Sequence, residues 1–516
     1  MSYFQVAAVF SHQMVLQREK NIRIFGKGSD GLKVSVEFNG YKEQTTISEG
    51  YWRIILPPMK AATGLTMKIS CEDQNIQFED IAIGEVWLAA GQSNMEYELQ
   101  HCTGGSNYLK TGQESNVRFY YTQKVSVLGD ELYEAEKRAG WLRFDEEKAR
   151  SWSAVGYLFG RQLAKELGVT VGIIGCNWGG TSASAWMDVQ NLMQDSDLIS
   201  YVKEYETAVK GKSKEQQIAE YREYENYQEV WEVKKNELYA RKPEISWEEV
   251  LQTLGECKWP GPMCCVNPYR PGGLYQTMLS RVLPYSLRGF IYYQGESDDH
   301  KPQMYYKLLS RLIQQWREDW EDLELPFLLV QLPMHRYAND LDNKHWCRIR
   351  EAQMQVYQTI KNTGLAVCLD CGEFNEIHPK DKAPVAHRLA LLALSEVYHQ
   401  LDKDFAYGPR YAFMVKQKNQ IELHFHHAKD GFLLKKEDGT FSSEATPIGF
   451  EIAGKDRNFV TGIAVIDYDK IIVSSNEVKE PEYVRYCWTN YGPVNVYGKN
   501  QIPLAPFRTS IKDEIQ

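Results

Sequence analysis

The stretch Gly84–Met95, GEVWLAAGQSNM, decides the fold. Val86-Trp87-Leu88-Ala89-Ala90 is a five-residue apolar run bounded by Gly84 and Gly91. A buried strand fits that length, whereas a helix needs about ten residues or more. At Gly91 the run gives way to Gln92-Ser93-Asn94-Met95. Glycine lets the backbone turn sharply, and the strand behind it is a rigid support. A small hydroxyl in that place suits a nucleophile. It equally suits the cap of a following helix.

Downstream, further apolar runs alternate with helical periods. Val171–Cys176, Gly289–Tyr293, Phe327–Leu332 and Leu365–Asp370 read as strands. Trp152–Leu167 puts Val155, Leu158, Phe159, Leu163 and Leu167 on one stripe and stops at Gly168, a good residue for ending a helix. Tyr305–Trp320 and Ala383–Tyr398 are two more helices. Such alternation over residues 84–400 predicts an α/β layered domain with a mostly parallel sheet, whose site lies beyond the carboxyl ends of the strands.

On both sides the pattern is β. Residues 1–83 alternate in short runs, with Asn39-Gly40 a strong hairpin signal. Residues 401–516 alternate again, as in Gln420–Phe425, Gly462–Tyr468, Lys470–Ser474 and Tyr483–Trp488. Each end reads as a β-sandwich-like module. Residues 190–260, rich in Glu, Lys, Gln and Tyr, read as an inserted helical hairpin with a weak apolar stripe. The insert fits a solvated excrescence, a lid over the site or a dimer contact.

Composition narrows the function. Net charge is −10 with no dense Lys/Arg block, which argues against nucleic acid or an anionic membrane as partner. No run of about 18 apolar residues marks a membrane span. The N-terminus lacks a basic region followed by an unbroken apolar one, so a cytoplasmic location is expected. The ten cysteines then read as free thiols. Cys368 and Cys371 form a C-x-x-C without a second pair to complete a zinc site, and His424 and His426 share a strand face without a third ligand, so no metal is expected.

Three strand ends carry unusual residues. Gln92-Ser93-Asn94 is the first. Asn177-Trp178-Gly179-Gly180 is the second, where paired glycines let the backbone present its N–H groups to a ligand. Gln294-Gly295-Glu296-Ser297-Asp298 is the third. A general base is then needed, and His378 stands out of eleven histidines. It follows the last α/β strand within Glu373-Phe374-Asn375-Glu376-Ile377-His378-Pro379, with carboxylates close before it. A base oriented by a neighbouring carboxylate is the logic of a triad.

GQSNM around Ser93, NWGG at 177–180, YYQGESD at 292–298 and EIHP at 376–379 resemble the motif set of the SGNH-hydrolase superfamily. More narrowly they resemble the sialate O-acetylesterase family. HQMVLQR at 12–18, PFLLVQLP at 326–333, REAQ at 350–353, VRYCW at 484–488 and APFRT at 505–509 extend the likeness over nearly the whole chain. The resemblance implies a three-layer α/β/α SGNH domain and a serine esterase that removes acetyl groups from sugar hydroxyls. Ser93 is then the nucleophile and His378 the base. The oxyanion hole is formed by the Ser93 N–H, an N–H of Gly179 or Gly180, and the Gln294 side-chain amide. Gln92, Asn94, Asn177 and Trp178 bind substrate or support the site, and Glu296 and Asp298 support the Gln294 turn. No metal or organic cofactor is implied.

The acid departs from the pattern. The superfamily commonly has aspartate three residues before the histidine, which here is Asn375. Close relatives have it two before, which here is Glu376, one methylene longer. Either Glu376 orients His378, or Ser93 and His378 act as a dyad with backbone or Asn375 help. The implied substrates are 9-O-acetylated sialic acid or acetylated xylan, mannan or xyloglucan fragments. Two other readings stand beside this one. One is a carbohydrate-binding protein that has lost catalysis through its altered acid. The other is an esterase for non-carbohydrate acyl esters, for which an apolar lid is expected in place of the charged insert.

Overall fold

The computed structural model describes residues 3–114, 116–242, 245–338, 340–442 and 445–510. Its backbone is a mixed α/β fold organised by one 18-residue strand, Gln74–Gly91 (β1). The first half of β1 alternates in exposure and pairs antiparallel with Ala62–Cys71. From Ile81 onward it is buried throughout. A strand buried on both faces reads as a continuous apolar run, which is why Val86–Ala90 is legible in the sequence. The change of pattern at 83/84 is a change of burial within a single strand, and the backbone does not break there.

Six strands join β1 in the central sheet. They are Val117–Tyr121 (β2), Trp141–Arg143 (β3), Val171–Asn177 (β4), Gly289–Tyr293 (β5), Phe327–Gln331 (β6) and Thr363–Val367 (β7). The order is β3-β2-β4-β1-β5-β6-β7, parallel except for edge strand β3. Strand β2 was not singled out in the sequence, because its NVRFYY run carries a buried arginine. Strand β7 starts and ends earlier than its apolar run, whose tail, Leu369–Cys371, turns into a short 3₁₀ segment.

Register assigns the helices to faces. Trp87 and Leu88 point to opposite sides of β1, and Phe290 of β5 is paired with Leu88. The Trp87 ring meets Phe159 of helix Ala154–Leu167 (α1). Phe290 packs against Trp316 and Trp320, at the end of helix Pro302–Asp319 (α3). Helix Ala383–Leu392 (α5) lies beside α1, and helix His345–Thr359 (α4) beside α3. The insert's long helix, Lys214–Arg241 (α2), is 28 residues long and starts in a Ser213/Gln216 capping box. Mostly antiparallel β structure precedes β1, with Val15–Gln17 pairing parallel to it, and antiparallel strands follow from residue 410. The Asn39-Gly40 hairpin forms as read, Phe38 facing Tyr41. One apolar cluster runs through all of it, from Val6 to Ala505. Among the described residues no helix is long and apolar enough to cross a membrane.

Gly91 makes the end of β1 possible. Its φ is +137°, and a Cβ there would lie 2.0 Å from the Tyr293 carbonyl oxygen of β5. Gly91→Ala is expected to cost more than about 3 kcal/mol, from strain plus backbone displacement. Gly129→Ala, with φ 170° and open space around it, is the neutral control. Urea midpoints of the two variants check this.

Candidate active site

Past Gly91 the chain makes a four-residue helix, Ser93–Glu96, capped by Gln92 without a side-chain bond. Ser93 is therefore not the cap. Its Oγ lies 2.8 Å from His378 Nε2, across 285 residues of sequence. The turn is fixed from both neighbouring strands. The Gln92 N–H donates to Tyr293 O at 3.1 Å, and the Trp178 N–H to Gly91 O at 3.2 Å. The Gln92 Oε1 accepts the Ser297 N–H at 3.2 Å.

Asn94, fully buried, joins the three loops. Its Nδ2 donates to Glu296 Oε1 at 2.7 Å and to Ile377 O at 3.0 Å, beside His378. Its Oδ1 accepts from the Nζ of Lys382, a buried lysine that stands in unremarkable sequence. Burial pushes Lys382 down to about 8 and raises the Glu296 carboxyl, since each charge loses its water. Among the described residues Glu296 Oε2 has no hydrogen-bond partner. The Lys382 ammonium also sits 4.7 Å from the centre of the Tyr97 ring.

Glu376 is close to His378 but not bonded to its ring. Its Oε1 accepts the His378 backbone N–H at 2.8 Å and lies 3.7 Å from Nδ1, ion-pair range with both side chains partly exposed. Burial lowers the His378 pKa; Glu376 opposes this, while Lys382 and His335 add to it. His335, buried behind the loop, was also missed in the sequence.

Three expectations are corrected. Asn375 does not help the imidazole: exposed, with φ +64°, it accepts the Ala338 N–H on Oδ1 at 2.6 Å. Gln294 is sealed in the core, not facing an oxyanion. Its amide N–H groups go to Asp298 Oδ2 at 2.6 Å and Thr181 O at 3.2 Å, and its Oε1 accepts from Tyr305. The Gly179 N–H is taken by Glu96 Oε2 at 2.6 Å. The Ser93 N–H, in the first turn of its helix, has no intrahelical partner, and no protein acceptor meets the Gly180 N–H among the described residues. Asn177 is also a support, its side chain bonded to Ala89 O and Tyr121. Trp178 is half-buried, with Lys124 over its ring. Asp298 holds Ser182, Ala183 and Gln294. A cleft of about 580 Å³ bordered by Lys20, Arg288 and Asn362 lies at the amino ends of β6 and β7, away from Ser93.

A family model for carbohydrate esterase, sialic acid-specific acetylesterase, matches residues 264–391, a span that holds the Gln294 turn and His378. Mouse sialate O-acetylesterase is 25% identical over 451 residues, covering 79% of this chain and 75% of its own. The rat sialate O-acetylesterase is 24% identical, covering 98% and 94%. The crystal structure of a carbohydrate acetylesterase from Xanthomonas citri superposes with a TM-score of 0.76 at 25% identity, covering 98% of this chain and 99% of that one. Together these define the class: the chain is a carboxylic ester hydrolase. Within that class its resemblance is to the sialate O-acetylesterases, a carbohydrate esterase family.

Replacing Asn94 by Leu would leave Lys382 and Glu296 buried without their shared amide. The expected loss is about 2–4 kcal/mol, because each buried charged group loses a hydrogen bond to the amide. Chemical denaturation of the purified variant measures it.

Proposed function

We propose that this protein removes O-acetyl groups from saccharides through an acetyl-enzyme on Ser93. The observation that carries this reading is the 2.8 Å contact between Ser93 Oγ and His378 Nε2 at the carboxyl end of the central strand. His378 Nε2 takes the Ser93 proton as Oγ attacks the acetyl carbonyl. The same nitrogen then gives that proton to the departing sugar oxygen. Water, deprotonated by His378, attacks the acetyl-enzyme, and acetate leaves with Ser93 reprotonated. Of the donors expected at the oxyanion, the Ser93 and Gly180 N–H groups remain after the correction of Gln294 and Gly179. The steps so written use no metal or organic cofactor.

The parallel sheet with its two pairs of helices is read as the SGNH layering, about residues 84–400, flanked by β-rich segments 1–83 and 401–516. Glu376 is read as the orienting acid, close enough for its charge to favour the imidazolium. Sialate and other carbohydrate esters come first among the substrates in this reading, supported by the likeness to sialate O-acetylesterases and to a carbohydrate acetylesterase. The charged insert, lacking an apolar face, favours a saccharide over a lipid ester.

Ser93→Ala is expected to lower acetate release from an acetylated saccharide by about 10⁴-fold or more. Retained turnover would remove Ser93 from the reaction. The acid limb of kcat/KM reports the base in the free enzyme. It should lie below the ordinary histidine value of 6.5, because burial favours neutral His378. Glu376→Gln removes a charge that favours the imidazolium, so the limb moves to lower pH. Lys382→Met removes one that disfavours it, so the limb moves up. Rate profiles from folded variants decide; limbs that stay put would mean another group is the base.

A further inference from the structure

The insert meets the site through the segment that follows α2. The chain that returns along α2 reaches the nucleophile's side. Residues of α2 hold that return closely. The Tyr227 hydroxyl donates to Glu256 O at 2.5 Å, and the buried Trp231 indole to Gly255 O at 3.3 Å. Gly261, with φ +76°, packs so tightly that a Cβ would lie 2.5 Å from the Tyr224 ring. The part delivered by this return is Trp259.

Trp259 is 49% exposed. A single exposed tryptophan is ordinary; its place and its fixing are not. Its indole N–H donates to the Tyr269 hydroxyl at 3.2 Å, and the two rings meet edge to face, 5.7 Å apart at 78°. Its benzo edge lies on Gly180, where a Cβ would come within 2.3 Å of Cζ2. Gly179, the next residue back, approaches Ser93 so closely that its Cβ would sit 3.2 Å from the serine Cβ. The indole thus stands one residue away from the nucleophile, held at its edges and open to solvent over half its surface. A rigid, half-wet aromatic beside convergent polar groups is how sites orient a ligand that has one apolar face. The C–H face of a pyranose is such a surface, with hydroxyls around its rim.

We propose that Trp259 is the stacking platform for the sugar ring, setting the acetyl carbonyl over Ser93, and that the insert serves to hold it there. This assignment rests on the esterase reading and names its specificity element. The ring presents no charge, so it selects for a pyranose face and not for any one sugar.

Two assays test it on the full chain. In the first, Trp259→Ala and Trp259→Phe are compared with the wild type on O-acetylated xyloside, 9-O-acetylated sialic acid and ethyl acetate, which has no ring to stack. The expected result is a KM for a hydrolysed saccharide raised at least 10-fold in Trp259→Ala and mostly restored in Trp259→Phe. Ethyl acetate hydrolysis should fall by a much smaller factor than saccharide hydrolysis in the same variant. In the second, the same saccharides are titrated by calorimetry into Ser93→Ala with and without Trp259→Ala. At least a 10-fold weaker Kd is expected in the double variant. Equal affinities, or no binding by Ser93→Ala, overturn the platform. Binding that depends on Trp259 with no turnover by the wild type supports the platform and overturns the esterase reading instead.

Discussion

Asn94 is the constraint on which the active-site geometry depends. A buried amide offers two donors and one strong acceptor, and here all are used: Glu296 and Ile377 O take the donors, and Lys382 supplies the acceptor's partner. Those three groups sit on the loop after β5, on the histidine loop and at the start of α5. The 2.8 Å approach of Ser93 to His378 is therefore a by-product of a bond made one residue away on each side. Aspartate would bring a second anion against Glu296, and leucine would leave a lysine and a glutamate unpaired in low dielectric.

The distant motifs of the sequence act as fasteners for that geometry. Gln17 and Arg18 of the first motif pair with the fully buried Glu85 of β1, which also takes Arg288 and Tyr398. Gln353 bonds the Leu332 N–H and the Gln294 carbonyl, holding β6 to the third loop. Glu351 pairs with Arg508, so the REAQ and APFRT motifs meet in space. Arg350, wholly buried, donates to backbone oxygens at Pro333 and Thr489. These contacts join the ends of the chain to the sheet behind the site.

Much of this was legible beforehand where burial is two-sided or chemistry is concentrated. The runs of β1, β4, β5 and β6 announce themselves because nearly every residue in them is apolar, Ser93 because polar residues follow such a run directly, and His378 because carboxylates stand close before it. The losses have physical causes. Gln294 carries the right amide at the right strand end, but its neighbours Asp298 and Thr181 claim that amide, and a motif does not show which way a side chain turns. Gly179 was one of two equivalent glycines until Glu96 reached back for its N–H. Lys382 and His335 lie in unremarkable sequence; only folding buries them and gives them partners. The insert's helix lacks an apolar stripe, because α2 is anchored by a few aromatic side chains and not along a face.

The electrostatics of the site follow from how unevenly water is removed. Burial of the ring is the first cause that favours neutral His378; Glu376 opposes it, and the fully desolvated Lys382 adds to it more weakly. In the proposed reaction neutrality alone would make His378 a weak base, because the proton taken from Ser93 must then be held. Glu376 supplies the opposite charge from 3.7 Å, but on the wet side, where solvent damps it. In the proposed reaction the arriving sugar, seated against Trp259, displaces that water. The Glu376 interaction then strengthens as the substrate is in place, while the Lys382 interaction, already dry, stays nearly constant. In that proposed reaction Glu376, 3.7 Å from the ring nitrogen, would act most strongly when a proton has to be held.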